Sequence, residues 1–195
     1  MKKILIAVLS LMLCVALMLS AVSCTQVHPI QKFLLKMQSS KSYQISVTME
    51  DIPFLGSISL TTKVDGDIQY IPETLINEEA YFQVSSDAQY LYTKNAKGEW
   101  TKTKTELDVD VSEFYRNENI LKLLDPDSYE AVEGKENVFK LKDDATFDGF
   151  DEITITVKDE SCTISAKTNL EGFEISVVIV VSEIGKVKLT LPEVK

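Results

Sequence analysis

Carboxylates are the most abundant side chains in this 195-residue chain that could do chemistry, with 30 Asp and Glu against 20 Lys and Arg. A carboxylate pair can act as acid and base in glycoside hydrolysis. So many acids make such pairs unavoidable by chance, and the only histidine, His28, precedes Pro29 and suits a helix cap better than a general base. The G-x-S-x-G, P-loop and C-x-x-C motifs do not occur. We therefore expect neither enzyme activity nor a cofactor.

The densest acidic loop, residues 143–152, is the one candidate for a metal site. Asp144, Asp148 and Asp151 could offer carboxylate oxygens to a calcium ion. The loop lacks the D-x-D-x-D-G spacing of an EF-hand. Solvated loop charge is therefore the favoured interpretation, and no metal is expected.

The first 24 residues have the order of an export signal. Lys2 and Lys3 precede an apolar run over residues 4–19, and small residues then lead to Cys24. This order predicts a secretory signal peptide over residues 1–23. The triplet Ala21-Val22-Ser23 before the cysteine resembles the lipobox of bacterial lipoproteins, whose signal is cut just before a diacylated cysteine.

The resemblance implies that Cys24 is the lipidation site, carrying a diacylglyceryl group and palmitate, and that residues 24–28 are a lipidated tether. Two acyl chains hold a protein stably at a membrane, whereas one gives marginal binding. An ordinary signal peptide cut nearby, or an uncleaved membrane anchor, is the alternative. The lysine-rich, arginine-poor composition adds the expectation of a Gram-positive cell, with the body outside the cytoplasm at the outer leaflet of the cell membrane.

The remaining body is strongly acidic. Removal of residues 1–23 takes two lysines and no acid from a chain of net charge −10, which leaves −12. Such a surface repels nucleic acid and anionic lipid headgroups, so we expect no nucleic-acid partner. Cys162 is the only cysteine left in the body, and its strand-like surroundings predict a small buried hydrophobe, not a reactive thiol.

Apolar periodicity divides the body into two kinds of element. Four apolar residues after Pro29 recur at helical spacing and predict an amphipathic helix that lies on the protein's own sheet, which we favour over the membrane surface: Ile30, Phe33, Leu34 and Met37. A second amphipathic helix is predicted from Asp110 to Leu124. Period-two alternation from Tyr43 onward predicts about eleven strands, including a last one over residues 187–191.

These elements predict a mainly β (α+β) protein with a single domain over residues 29–195. A sheet of this size with one apolar side must curl or be covered. We therefore expect a curved antiparallel sheet, an open half-barrel of about eleven strands, with two amphipathic helices across its concave face.

The order of elements is similar to that of the LolA/LolB/LppX-type lipoprotein carriers, which have an N-terminal helix and a long antiparallel meander with a helical insertion. The ending Glu183 to Pro192 resembles their last strand, and the stretch from Tyr90 to Trp100 resembles one of their hairpins. The resemblance implies an apolar cavity that holds acyl chains or another lipid.

Alternation identifies the inward-facing residues that would line such a cavity: Phe33, Ile45, Val47, Met49, Ile58, Leu60, Leu121, Leu124, Ile155, Ile175, Val177 and Ile179. Two functions stay open at this point. The first is a membrane-anchored lipoprotein, expected to be a monomer, that binds or carries a lipid or another apolar ligand. The second is a non-enzymatic interaction or structural module of the cell envelope, with a filled core and a protein partner.

Overall fold

The computed structural model describes residues 27–73, 78–85, 88–105, 122–147, 149–170 and 172–194 of the chain. Over these residues the fold is mainly β, with eleven antiparallel strands in one sheet and one α-helix. The helix is α1 (Pro29–Ser40), and the strands are β1 (Ser42–Ile52), β2 (Gly56–Asp65), β3 (Ile68–Ile71), β4 (Ala80–Val84), β5 (Gln89–Lys94), β6 (Trp100–Thr105), β7 (Tyr129–Ala131), β8 (Val138–Leu141), β9 (Asp151–Val157), β10 (Cys162–Leu170) and β11 (Phe173–Ser182).

The sheet consists of two antiparallel meanders joined at one ladder. Its strand order is β6-β5-β4-β3-β2-β1-β11-β10-β9-β8-β7, so each ladder joins strands that are consecutive in sequence except the ladder between β1 and β11. The sheet is open because its two edge strands, β6 and β7, do not pair with each other. The predicted number of strands and their antiparallel arrangement are confirmed.

Helix α1 begins and ends where the local sequence allows it. The Nδ1 atom of His28 accepts a hydrogen bond of 3.3 Å from the backbone N–H of Ile30, and Pro29 occupies the first turn, where no N–H is needed. At the other end Lys41 adopts a left-handed conformation, and its N–H donates to the carbonyl of Met37. The predicted first helix is therefore confirmed.

The inner face of α1 lies on the sheet, as predicted. Ile30, Phe33 and Met37 are buried, and the helix contacts β1 and β9. These three positions fall on one side of a helix of 3.6 residues per turn. The Nζ of Lys36 reaches the backbone carbonyl of Asp159 beyond β9 at 2.9 Å, which ties the outer side of the helix to the same part of the sheet.

The predicted last strand is wrong. Residues 187–191 form no ladder, although Val187 is buried. They lie beside the N-terminal end of β1. Both edges of β1 are already paired, with β2 and β11, so residues 187–191 cannot form a ladder with it. Side chains hold this segment instead: Ser42 Oγ donates to the carbonyl of Val187 at 2.7 Å, and the N–H of Leu189 donates to the carboxylate of Asp65 at 3.0 Å.

The second predicted helix is not confirmed, because most of the range 110–124 lies outside the described residues. The description resumes at Lys122, and Lys122 and Leu123 are helical. A short 3-10 helix, Pro126–Ser128, then leads into β7 at the edge of the sheet opposite β6. Tyr129 anchors this passage, because its hydroxyl donates to the carbonyl of Leu123 at 2.7 Å and both residues are buried.

Candidate functional site

One side of the sheet, here called the apolar face, carries inward-facing hydrophobic residues on nearly every strand. A continuous row across five strands shows the register: Val47, Ile179, Ile164, Ile155 and Phe139 stand opposite one another on β1, β11, β10, β9 and β8. A second row crosses four strands on the other side of β1, through Val64, Gln69, Phe82 and Leu91. The apolar face therefore extends over both meanders.

The first part of this face, the helix-packed region, comprises α1, β1 and β7–β11. Its buried side chains form one cluster that includes Phe33 of the helix, Ile155 and Ile164 of the sheet, and Leu124 before the 3-10 helix. Ile155 and Leu124 have no exposed surface at all. Side chains from a helix, a loop and six strands thus meet in one buried core over this part of the face.

The second part, the strand-only region, comprises β2–β6. Its buried cluster is separate and smaller, with Ile71, Ala80 and Phe82 at the centre and Val84 and Leu91 packed against them. All of the described members of this cluster lie on strands β3, β4 and β5. Within the part of the chain that the structure describes, no helix belongs to it.

The twelve predicted cavity residues divide between these surroundings. Seven are buried in the cluster of the helix-packed region: Phe33, Ile45, Leu124, Ile155, Ile175, Val177 and Ile179. Val47 and Met49 are partly buried and pack against that cluster. Ile58 and Leu60 of β2 are partly buried opposite Met49 and Val47, at the border of the two regions. Leu121 lies outside the described residues.

Two polar residues lie on the apolar face of the strand-only region and were missed by sequence reasoning. Thr62 and Gln69 are 8% and 9% exposed, and the amide Nε2 of Gln69 donates to Oγ1 of Thr62 at 3.3 Å. Thr62 in turn donates to the carbonyl of Tyr70 at 2.6 Å. The sequence did contain a signal for Thr62, because alternation along β2 places it in line with the inward-facing Leu60 and Val64. Ligand sites commonly combine an apolar lining with a few such hydrogen-bonding groups.

The opposite side of the strand-only region carries rings and lysines. Lys63, Tyr70, Tyr81, Tyr92 and Lys102 form one row across β2–β6. The Tyr70 and Tyr81 rings meet edge to face at 5.4 Å between centroids, and the Nζ of Lys102 lies 5.3 Å from the centroid of Tyr92. Ring packing and cation–π contacts account for this row without a ligand.

Burial is the main cause of the pKa shifts of three titratable groups in the helix-packed region. It raises the pKa of the Cys162 thiol to about 12, so the side chain stays protonated and behaves as a small hydrophobe, as predicted. Burial also raises the pKa of Tyr129, with smaller contributions from Cys162 and Asp125. The pKa of His28 is lowered, chiefly by burial against the protein, where its ring lies 4.6 Å from that of Phe139. None of these groups is paired with a second one in the geometry of a catalytic acid and base.

The acidic loop gives no metal site among the residues that the structure describes, since no three of their His, Cys, Asp or Glu side chains converge. Asp144 and Asp151 lie on opposite sides of a tight turn closed by a bridge between Phe147 and Phe150. Asp148, the third candidate, and Cys24, the predicted lipidation site, lie outside the described residues. No described helix is long and apolar enough to span a membrane.

No known family model matches this chain, and no curated protein matches it either.

Proposed function

We propose that this protein is a membrane-anchored lipoprotein outside the cytoplasm that binds or carries a lipid or another apolar ligand. The anchor would be a diacylglyceryl group on Cys24, following the lipobox-like triplet Ala21-Val22-Ser23. The ligand would lie along the apolar face at the strand-only region. The LolA/LolB/LppX-like order of elements supports the same function.

One observation carries the proposal: the apolar face continues well past the area that α1 occupies. Helix α1 contacts β1 and β9, whereas the face extends through β2 to Phe82 and Leu91 on β4 and β5. Twelve helical residues are about 18 Å long, and eleven strands at about 4.8 Å spacing extend over about 50 Å. We propose that the sheet curves into a half-barrel whose concave side is this face.

The border residues Ile58 and Leu60 give the ligand its first contacts. Both are partly exposed, unlike the fully packed Ile155 in the same face. Together with Val64 they form an apolar strip along β2, and Thr62, between Leu60 and Val64, supplies a buried hydrogen-bonding pair with Gln69. An acyl chain along the strip with its polar end near this pair would satisfy both kinds of group.

Native mass spectrometry with lipid extraction tests the proposal. The chain from residue 24 onward, with Cys24→Ser, would be purified from bacteria without its signal segment. A carrier should retain a co-purifying lipid mass, and Leu60→Trp should remove it by filling the strip. Ser59→Trp is the matched control, because Ser59 is exposed on the other side of the same strand. A bound mass that survives both substitutions would reject the strip as the ligand site, and an apo mass with no uptake of added fluorescent fatty acid would reject the carrier.

A second candidate function has an observation of its own. Seven of the twelve predicted cavity residues are in a filled core, which is the arrangement expected of an interaction or structural module of the cell envelope. In that case the apolar strip contributes to folding only, and the protein acts through an outer surface. A clean apo mass in the experiment above would favour this module.

A further inference from the structure

Two hairpins present exposed hydrophobic side chains at the same end of the sheet. The turn between β1 and β2 carries Phe54, which is fully exposed, and Leu55, which is 67% exposed; Phe173 at the start of β11 is 52% exposed. Because β1 pairs with β11 and Glu50 stands opposite Ser176, these turns project side by side. The Ser176 hydroxyl lies 3.3 Å from the carboxylate of Asp51 and links them. We call Phe54, Leu55 and Phe173 the apolar tip.

The backbone at the apolar tip is unusual for the side chains that it carries. Pro53 and Phe54 are the central residues of a turn closed by a 3.2 Å hydrogen bond from Leu55 N–H to the Ile52 carbonyl. Phe54 has φ +67°, at a position where turns of this kind usually carry glycine or asparagine. A bulky residue in this region is a true outlier. The molecule therefore tolerates both backbone strain and full exposure of an aromatic ring at one residue, a combination that folding alone does not reward.

The surroundings indicate what the apolar tip contacts. Phe173 continues the line of Ile175 and Val177, so the tip is the solvent-facing end of the apolar face. The nearby charges are mainly acidic. Glu50 and Asp51 lie at the end of β1. Glu152 and Glu174 both form salt bridges with the Nζ of Lys167, at 2.9 and 3.2 Å. Acidic groups disfavour an anionic surface but not the apolar interior of a neutral one. His28 follows Cys24 by four positions, a reach of about 14 Å, so an anchored body stays close to the bilayer.

We infer that the apolar tip inserts into a phospholipid surface of zwitterionic headgroups, beside the end of the apolar face. Insertion would bring that face to the acyl chains, which gives a ligand a path between bilayer and protein without passage through water. The inference rests on the proposed membrane anchoring. The occupant is the lipid surface itself, because aromatic and leucine side chains at a protruding turn are typical of interfacial insertion.

The test uses the processed, acylated protein purified from membranes and reconstituted into vesicles of phosphatidylcholine brominated on its acyl chains. Phe54→Trp places a fluorophore at the apolar tip, and the parent protein, with Trp100 alone, supplies the background. We expect about a twofold loss of emission from the introduced indole, because side chains inserted by about 5–10 Å reach the brominated segments. Leu35→Trp is the matched control, since Leu35 is 54% exposed on α1, away from the tip, and should not be quenched.

Each outcome decides the inference. Equal quenching at positions 35 and 54, or none at 54 in protein whose mass shows the acyl chains, would overturn it while leaving the anchor intact. A missing acyl mass would instead reject the anchor. A blue shift of the Phe54→Trp emission that grows with protein concentration in the absence of vesicles would assign the apolar tip to self-association.

Phe54→Gly provides a second test. It should raise Tm, because glycine relieves the backbone strain at this turn. It should also lower the binding of the unacylated Cys24→Ser chain to phosphatidylcholine by about tenfold.

Discussion

The two regions of the sheet are built from similar strands but are stabilised differently. In the helix-packed region, residues from α1, from the chain before β7 and from six strands meet in one cluster. In the strand-only region, the described cluster comes from three strands, and a buried polar pair, Thr62 and Gln69, lies on the same face. The difference indicates that, among the described residues, the helix-packed region holds the larger and more completely enclosed core.

This division has an energetic basis. A side chain enclosed on all sides contributes the full transfer free energy and its dispersion contacts, whereas one that packs on a sheet from one side keeps part of its surface in water. Ile155 has no exposed surface, and Leu60 is only partly buried. Stability should therefore be concentrated in the helix-packed region, and substitutions can test this directly.

The largest expected effect follows from Phe33→Ala, which removes the central anchor of α1 from the filled cluster. We expect the free energy of unfolding to fall by about 3–5 kcal/mol, as for other buried aromatic residues. Urea denaturation measures this change. Leu35→Ala, on the exposed side of the same helix, should change it by no more than about 0.5 kcal/mol. Similar losses for both variants would show that α1 is not packed as described.

Leu60→Ala probes the border of the strand-only region. Its partial burial predicts a smaller loss, about 1 kcal/mol, because solvent and neighbours close part of the space. The same variant should weaken uptake of a fluorescent fatty acid. A loss of stability as large as that of Phe33→Ala, with uptake unchanged, would erase the distinction between the two regions.

A pair of tyrosines compares hydrogen bonds in the two regions. The Tyr129 hydroxyl donates to the buried carbonyl of Leu123 at 2.7 Å, and that of the buried Tyr92 donates at 3.0 Å to the side chain of Gln83, which is only partly buried. Tyr129→Phe leaves a buried acceptor without its donor, so we expect a loss of about 1.5 kcal/mol, against about 0.5 kcal/mol for Tyr92→Phe. Thermal unfolding of both variants would reveal the order, and the reverse order would contradict it.

The smallest effect concerns pH and the cap of α1. Burial, the largest cause, lowers the pKa of His28 below its ordinary 6.5; nearby Asp127 opposes this shift and Lys142 adds to it. The unfolded chain therefore binds this proton more readily, so the contribution of His28 to stability is present above pH 6.5 and declines as pH falls below it. His28→Asn keeps a capping acceptor without titrating. Between about pH 7.5 and pH 5, its stability should fall less than that of the parent, and an equal fall would show that His28 is not involved.

Much of the fold was predictable because it depends on short-range patterns. The helix from Pro29 and the alternating strands from Tyr43 follow from local periodicity, which reports a buried side whatever covers it. The strand predicted over residues 187–191 was wrong because local alternation carries no information about free sheet edges. Only the pairing of β1 with both β2 and β11 excludes it.

The candidate site was less predictable than the fold. Alternation placed Ile155 and Leu60 in the same set, but it could not distinguish a residue under α1 from one at the border of that coverage. Such a distinction depends on where a helix crosses a sheet, which is a property of tertiary packing. Alternation aligned Thr62 with Leu60 and Val64, but its pairing with Gln69 on the neighbouring strand depends on the register between β2 and β3, which the sequence alone does not give.

The ladder between β1 and β11 has a consequence for how the molecule forms. Every other ladder joins strands adjacent in sequence, whereas this one pairs Gln44 with Ser182, near opposite ends of the described chain. Contacts of such long sequence separation form slowly, because a large loop must close first. A chain emerging N-terminus first therefore holds β1 with one edge bare until its last strand arrives. During that interval the bare edge of β1 can pair with another chain, unless a partner covers the edge or β11 pairs with it quickly.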